Sequence, residues 1–250
     1  DNPIEGEVWY NETDNVLKFQ YENVTSAGSW GTGNSMNTAR EQLSSSGVQT
    51  NALAIGGYTT TEVGNTESYN GTNWTEVNDL TTVRRTHASA GTYTSSLAFG
   101  GNSTTAITGV TESWNGTNWT EVNDLNTARK GLTGAGTDNE GVIAIGGENP
   151  STDVANVESW NGTNWTEVND LNTGRYGLGG VGPYTAALAF GGGPGTKNET
   201  ELWNGTNWTE QNNLNTGRKY LGGAGTSTAG LASGGDTGSA SAVTEVWTGA

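Results

Sequence analysis

Short runs of alternating apolar and polar residues, separated by turn residues, follow one another along almost the whole chain. In one example, the small-residue run KGLTGAGT at 130–137 is followed by the apolar run VIAIGG, which ends at Gly147. Alternation over roughly four to eight residues between Gly and Asn is typical of β-strands, and the chain nowhere shows the roughly 3.6-residue spacing of an amphipathic helix. The pattern therefore predicts an all-β protein.

The predicted strands belong to a repeat that is nearly identical from one copy to the next. The copy ESWNGTNWTEVNDLNTAR at Glu112–Arg129 returns at Glu158–Arg175 with a single change, from Ala128 to Gly174. One Arg follows the last Trp of each copy, and a Gly-Gly pair follows each Arg. That Trp recurs every 43 to 46 residues, at Trp30, Trp74, Trp119, Trp165 and Trp208. Five copies of each feature indicate five units.

Each unit predicts four strands. The first follows the Arg, the second ends at Gly-Gly, the third carries a Glu-x-aromatic motif, and the fourth reads TNWTEV or a close variant. Asn-Gly between the third and fourth strands is a strong hairpin signal, because both residues accept a positive φ. A four-stranded repeat of about 40–50 residues is typical of a propeller blade. We therefore predict a five-bladed β-propeller of four-stranded antiparallel blades, with small first-strand residues around a narrow channel.

The two ends of the chain depart from the repeat. Residues 1–24 contain GEVWY and VLKFQY on either side of NETDN, which predicts an N-terminal β-hairpin extension. The last unit lacks a fourth strand, whereas the segment 25–36, which contains Trp30, has a fourth-strand pattern without its unit. We expect this segment to complete blade 5 and to remove exposed sheet edges. The predicted propeller is residues 25–250, with blades at roughly 40–80, 84–125, 129–171, 175–214 and 218–250.

Composition narrows the classes of partner. The 250 residues include 40 Gly, 10 Trp and no Cys, and the formal net charge is −16. Nucleic-acid phosphates need basic clusters, which this acidic chain lacks, and no apolar run approaches the roughly 20 residues of a membrane helix. We expect no nucleic-acid or membrane partner, and a monomer because like charges repel. Since the chain begins at Asp1 and not at Met, we also expect a fragment or a processed form.

The repeat resembles the kelch repeat of β-propellers, in which Gly-Gly ends the second strand, Glu-x-aromatic lies on the third and Trp lies on the fourth. In one unit of this chain these residues are Gly146–Gly147, Glu158 and Trp165. The resemblance covers about Ser26–Ala250. The chain departs from the kelch pattern in its short blades, in its NGTN hairpin and in having fewer blades than kelch rings usually have.

A narrower resemblance is to kelch-like propellers in tail-fibre and virion structural proteins of marine phages. In those proteins GEVWYN…LK hairpins, here Gly6–Lys18, precede arrays with NTAR and ALAFGG motifs. The resemblance implies an extracellular location on a virion surface, with a binding or structural role.

Two sets of repeated charged residues allow two interpretations. A ring of Arg could bind a polyanion or a carboxylate, or each Arg could form a structural pair with the Glu of the repeat. We favour structural pairs, because the two sets occur one to one and a buried Arg needs a partner. The residues are Arg40, Arg84, Arg129, Arg175, Arg218, Glu67, Glu112, Glu158, Glu201 and Glu245.

Other repeated features also have a functional and a structural interpretation. The aromatic residues of the third and fourth strands could stack on sugars, but their alternation with Asn and Thr favours core positions. Asp79, Asp124 and Asp170 could bind calcium, but one carboxylate per blade fits a turn better, and Asn213 replaces the fourth. The N-x-T triplets match glycosylation acceptors, although the hairpin itself requires Asn-Gly.

Enzyme chemistry finds little support. The chain has one His, no Cys and no nucleophilic Ser motif, so we expect no catalytic residues, no metal and no cofactor. Glycoside hydrolysis stays open, since carboxylates are plentiful.

Binding is the stronger hypothesis. The turns after Gly-Gly, at 58–66, 102–111, 148–157, 193–200 and 236–243, differ most between units. We predict that they share a face with the NDLNTAR turns, and variable loops on a rigid scaffold commonly carry recognition; simple tolerance of variation explains them equally well. The candidate ligand-binding residues break the repeat near the axis of that face, and they are Arg85, His87, Lys130, Tyr176, Lys219 and Tyr220.

Two functions are therefore considered. One is a non-enzymatic recognition propeller of a virion or cell surface, which binds glycans or a surface receptor. The other is a purely structural or assembly domain of a larger fibre protein, with no small-molecule ligand.

Overall fold

The structure is a computed structural model that describes residues 8–11, 16–19 and 32–249, with side chains described from residue 32 onwards. The chain divides into two compact units, Asp1–Gly33 and Asn34–Ala250. In the first unit, β1 (Val8–Asn11) pairs antiparallel with β2 (Val16–Phe19). This is the hairpin that the sequence predicts.

The second unit contains five antiparallel sheets, one for each repeat, and neighbouring strands in each sheet follow chain order. Blade 1 contains β3 (Ser44–Val48), β4 (Asn51–Tyr58), β5 (Glu62–Tyr69) and β6 (Trp74–Val77). Blade 2 contains β7 (Ala88–Gly91), β8 (Ser96–Phe99), β9 (Thr111–Trp114) and β10 (Trp119–Val122). Blade 3 contains β11 (Thr133–Gly136), β12 (Val142–Ile145), β13 (Val157–Trp160) and β14 (Trp165–Val168).

The last two blades follow the same order. Blade 4 contains β15 (Gly179–Val181), β16 (Leu188–Gly192), β17 (Lys197–Trp203) and β18 (Trp208–Glu210). Blade 5 contains, among the described residues, β19 (Gly222–Gly225), β20 (Gly230–Ser233) and β21 (Thr244–Trp247). The predicted five-bladed β-propeller is confirmed.

The predicted closing strand at 25–36 is only partly covered by the structure. Residues 25–31 lie outside the described residues, and 32–36 form no strand. Register explains the absence of a strand at 34–36, because Asn34 corresponds to Asn78, which begins the turn after the fourth strand of blade 1. It does not explain Thr32 and Gly33, which correspond to Glu76 and Val77 of β6. Both Asn side chains donate a hydrogen bond to the hairpin of the next blade: Asn34 Nδ2 donates to Asn73 Oδ1 at 2.7 Å, and Asn78 Nδ2 donates to Asn118 Oδ1 at 2.6 Å.

The hairpin between the third and fourth strands follows from its Asn-Gly sequence. In blade 2, Asn115 Oδ1 accepts hydrogen bonds from the N–H groups of Thr117 and Asn118, at 3.0 and 2.9 Å. Gly116 follows at φ +91°, a conformation that costs Gly little. The Asn side chain therefore provides a hydrogen-bond acceptor for the N–H groups of the turn, which explains why the motif recurs with so little change.

The first strands of all five blades line one axial channel. The channel leaves little room: a Cβ at Gly180 would lie 2.7 Å from the Thr133 side chain, and one at Gly134 would lie 2.7 Å from the Phe99 ring. Crowding at the axis therefore explains the small residues of these strands.

The apolar core lies between the blades. In one cluster, Trp114 and Trp119 of blade 2 pack with Leu53, Ile55 and Leu80 of blade 1. The two indole rings lie 5.3 Å apart in a tilted arrangement. Each large aromatic side chain removes about 150–250 Å² from water when it is buried, so these pairs supply much of the contact between blades.

Backbone hydrogen bonds also join successive blades near the axis. In blades 1 to 4, the second Gly of the Gly-Gly pair donates its N–H to the carbonyl of the repeat Arg in the next blade, as Gly57 does to Arg84 at 2.9 Å. The same bond occurs at the four seams from blade 1 to blade 5. Within residues 32–249, no such bond joins Gly235 of blade 5 to Arg40 of blade 1.

Candidate binding site at the mouth of the axial channel

One face of the propeller carries both the turns after Gly-Gly and the starts of the first strands. In each blade the residue after the repeat Arg forms an antiparallel β-bridge with the residue after Gly-Gly, as Lys130 does with Glu148. The variable turns therefore begin beside the first-strand starts. We call the five residues that follow the repeat Arg the outer ring, and they are Glu41, Arg85, Lys130, Tyr176 and Lys219.

The next residue in each blade turns the chain towards the axis. Its φ is left-handed, between +52° and +61°, in all five blades. This turn delays the first strand, so that β11 begins at Thr133 and not at Lys130 as the sequence suggests. At four seams its N–H donates to the carbonyl of its counterpart in the preceding blade, at 2.6–2.9 Å. We call these residues the inner ring, and they are Gln42, Thr86, Gly131, Gly177 and Tyr220.

The inner ring surrounds the mouth of the axial channel. The mouth is a cavity of about 570 Å³, and its wall below the inner ring is formed by the next residue of each blade. These wall residues are Leu43, His87, Leu132, Leu178 and Leu221. Apolar walls with a few polar groups at the rim are typical of small-ligand sites, and the mouth has this character.

Two Tyr and one Lys lie together on blades 4 and 5, and one of them, Tyr220, lines the mouth. The ring centroids of Tyr176 and Tyr220 lie 5.9 Å apart, and Lys219 Nζ lies 5.8 and 5.6 Å from them. Tyr220 is 57% exposed. Its ring lies over Gly177, where a Cβ would come within 2.7 Å of it, and the ring of Tyr176 lies over Gly193 in the same way. The two Gly residues therefore leave room for the aromatic rings.

The Tyr220 hydroxyl keeps its proton under ordinary conditions. Partial burial, together with the neighbouring Tyr176 hydroxyl, raises the pKa of Tyr220 to about 12. A protonated phenol both donates and accepts hydrogen bonds. The ring thus offers a ligand an apolar face and a neutral polar edge.

The other two cations of the outer ring already have partners. Arg85 Nε lies 3.2 Å from Glu62 Oε1, and its guanidinium lies 4.4 Å from the centre of the Tyr58 ring. Lys130 Nζ lies 3.4 Å from Glu148 Oε1. Sequence reasoning missed Tyr58 and Glu148, although both directly follow Gly-Gly in the turns that it singled out.

His87 differs from the other candidates because it is buried, at 5% exposure. Its Nε2 lies 2.7 Å from Ser44 Oγ across the seam between blades 1 and 2, and its Nδ1 has no partner among the described residues. Burial, and then the charge of Arg84, holds the pKa of His87 well below its usual 6.5. His87 is therefore a neutral seam residue and does not belong to the exposed part of the mouth.

Each repeat Arg forms an ion pair with the repeat Glu of its own blade. The Arg side chains have 0% exposure, so they are inaccessible to a ligand. Each Glu also holds the chain that enters the blade; Glu112 Oε2 accepts the Thr81 N–H at 2.7 Å, for example. The pairs are Arg40–Glu67 at 2.5 Å, Arg84–Glu112 at 3.1 Å, Arg129–Glu158, Arg175–Glu201 at 2.8 Å and Arg218–Glu245 at 3.1 Å.

The remaining repeated residues serve turns and core. Asp79 Oδ1 accepts the Thr66 N–H at 3.0 Å, and Asn213 Oδ1 accepts the Thr200 N–H at 3.1 Å, so Asn can replace Asp in this role. The fourth-strand Trp side chains of blades 2–4 are buried. Among the described residues, no three His, Asp or Glu side chains are grouped to hold a metal ion, and no helix could cross a membrane.

Fold and site together define a five-bladed β-propeller with an open mouth on its axis. The solved structure of YjhT is similar to it, with a TM-score of 0.70 over 83% of this chain and 81% of that chain, at 14% sequence identity. At this identity the likeness concerns the fold alone. No family model and no curated protein matches the chain, so the resemblance to kelch propellers of phage fibres stays a prediction.

Proposed function

We propose that this protein is a non-enzymatic recognition propeller, which binds a glycan or a surface receptor at the mouth of its axial channel. The observation that carries the proposal is the grouping of Tyr176 and Lys219 with Tyr220, which lines a cavity of about 570 Å³. All three residues break the repeat, in a chain whose packing positions otherwise recur almost unchanged.

The chemistry of this group suits a saccharide. The C–H faces of a sugar ring pack against an aromatic face, and its hydroxyl groups pair with donors and acceptors at the edge. Tyr220 combines both features, since the residue is 57% exposed and its hydroxyl stays protonated. Wall residues such as Leu178 and Leu221 could accept the less polar side of the ligand.

The proposed setting is the surface of a virion or a cell, with no catalytic residues and no nucleic-acid or membrane partner. The resemblance to phage-fibre propellers supports this location, and the net charge of −16 supports a monomer that does not bind nucleic acid. His87, the one histidine, is committed to Ser44 at 2.7 Å and is assigned no catalytic role.

A glycan array tests the proposal. Wild type should bind at least one class of saccharide, and Tyr176→Ala and Tyr220→Ala should lose about tenfold or more in affinity, as aromatic anchors in pockets commonly do. Tyr184→Ala is the matched control, because this Tyr is 40% exposed but follows β15, at the opposite end of the first strand from the mouth. Equal losses in all three variants would contradict a site at the mouth.

The alternative function is a structural or assembly domain of a larger fibre, with no small ligand. The paired outer-ring cations Arg85 and Lys130 favour it, because their charges are already used within the chain. A wild-type protein that binds no saccharide on the array would support this alternative.

A further inference from the structure

One cationic side chain differs from all the others that the structure describes. Eight Arg and Lys side chains form ion pairs with Asp or Glu. Lys219 has no carboxylate oxygen within 4.0 Å of its Nζ among the described residues. In a chain with 26 acidic residues and 10 basic ones, an uncommitted cation is a notable exception.

Blade 3 shows what pairing at this position requires. Lys130 and Lys219 occupy the same place in the outer ring, and each forms a β-bridge with the acidic residue that follows Gly-Gly. In blade 3 that residue is Glu148, whose carboxylate reaches Lys130 at 3.4 Å. In blade 5 it is Asp236, whose Oδ1 instead accepts the Gly238 N–H at 2.7 Å. The shorter acid is held by its own turn and leaves the ammonium group unpaired.

The unpaired ammonium group lies beside the aromatic rings of the mouth. Its distances of 5.8 and 5.6 Å to the centroids of Tyr176 and Tyr220 hold it by cation–π contact at the entrance. An anion that approached the rings would therefore meet a positioned cation. A charge-assisted hydrogen bond of this kind is roughly twice as strong as a neutral one.

We infer that the mouth selects an anionic saccharide, whose carboxylate or sulfate ester pairs with Lys219 while a sugar ring packs on Tyr220. This inference rests on the proposed function and names its ligand class. The protein as a whole repels anions, so selectivity depends on this one local cation rather than on overall charge.

Calorimetric titration of the whole protein with three oligosaccharides of equal length tests the inference. One is built from uronic acids, one carries sulfate esters and one is neutral. Wild type should bind at least one of the acidic ligands about tenfold or more tightly than the neutral ligand. Added salt should weaken that binding, because the ion pair at the mouth is exposed to solvent.

Three variants isolate the role of Lys219. Lys219→Met should remove both the preference for acidic ligands and the salt dependence of their binding. Asp236→Glu should weaken acidic ligands several-fold, since the longer carboxylate can pair with Lys219 as Glu148 does with Lys130. Lys197→Met is the control, because this Lys lies on β17 and pairs with Glu199 at 3.3 Å.

The possible outcomes distinguish a failure of this inference from a failure of the proposed function. If the neutral oligosaccharide binds as tightly as the acidic ones, and Lys219→Met changes neither, the inference is overturned while the proposed function stands. If no oligosaccharide binds wild type, the inference is overturned, and the glycan array decides the proposed function separately. A preference for uronic acid or for sulfate, lost in Lys219→Met but kept in Lys197→Met, supports the inference and identifies the anion.

Discussion

Replacing His87 by Leu, the residue at this wall position in the other four blades, should stabilise the propeller. His87 is 5% exposed and its Nδ1 has no partner among the described residues, and a buried unpaired polar group costs about 1–3 kcal/mol. The variant loses the hydrogen bond to Ser44, a net contribution of about 0.5–1.5 kcal/mol. Leu132, which lies against the position of a Gly100 Cβ, shows that the seam accepts Leu. We expect a gain in unfolding free energy of about 1 kcal/mol at neutral pH.

The same substitution should also remove one step of acid destabilisation. Burial, and then Arg84, holds the pKa of His87 well below 6.5 in the folded protein. As the pH falls through 6.5, the unfolded chain binds a proton that the folded chain does not, so the stability present above that pH is lost. The loss is up to about 1.4 kcal/mol for each pH unit until the folded pKa is reached, or up to about 2 kcal/mol near pH 5. His87→Leu has no such loss.

Urea unfolding of both proteins, followed by Trp fluorescence at about pH 7.5 and about pH 5, measures the effect. Carboxylates contribute as well: burial acts to raise the pKa of Glu67, but hydrogen bonds from the Asn37 N–H and Arg40 lower it overall. This contribution is common to both proteins and cancels in their difference. Ser44→Ala is the control, since it removes the bond to Nε2 but keeps the titrating ring, and it should keep the acid step. Equal losses of stability in wild type and His87→Leu would refute the reasoning.

Two further substitutions test the packing between and within blades. Val157 occupies the third-strand position at which Thr66 and Thr111 accept a hydrogen bond from the Trp of the next blade. Val157→Thr should therefore stabilise the protein by about 1 kcal/mol in thermal or urea unfolding, because it supplies an acceptor for the buried Trp208 Nε1, which has no partner among the described residues; unchanged or lower stability would contradict this. Glu158→Gln should destabilise by about 3–5 kcal/mol, because it leaves Arg129 buried without its carboxylate. Its control is Glu199→Gln, at a partly exposed pair, which should cost under about 1 kcal/mol in the same urea assay; equal losses of stability in the two variants would contradict a larger contribution from the buried pair.

The fold could be predicted because its determinants are local and repeated. The Asn-Gly hairpin, the apolar strand before Gly-Gly and the one-to-one count of Arg and Glu each report on a nearby contact within a blade. Contacts between blades were harder to see. Trp119 Nε1 donates to Thr66 Oγ1 at 3.1 Å, and Trp165 Nε1 donates to Thr111 Oγ1 at 3.1 Å, across seams that join residues more than 50 positions apart. Only the blade order could have suggested these pairs.

The candidate site was predicted in outline but not in its details. A departure from the repeat is visible in the sequence, but burial is not. The sequence therefore places His87 and Tyr220 in one group of candidates, although His87 is 5% exposed and Tyr220 is 57% exposed. The left-handed inner ring was also missed, because Thr86 and Tyr220 adopt a φ that residues with side chains rarely take. The ring of axial hydrogen bonds at four seams holds them there.

Because the blades are nearly identical, equivalent positions in different blades can be compared directly, and one such comparison concerns the mouth. Lys130 and Lys219 share a backbone position, a β-bridge and an acidic neighbour, so the scaffold cannot explain why one is paired and the other is not. The difference lies in one methylene group, between Glu148 and Asp236, and in the turn that holds the shorter acid. Because a single substitution would restore the pairing, the unpaired ammonium group is not imposed by the fold. A position that the fold leaves free, beside two aromatic rings on an open cavity, is where selection for a ligand can act without disturbing the blades.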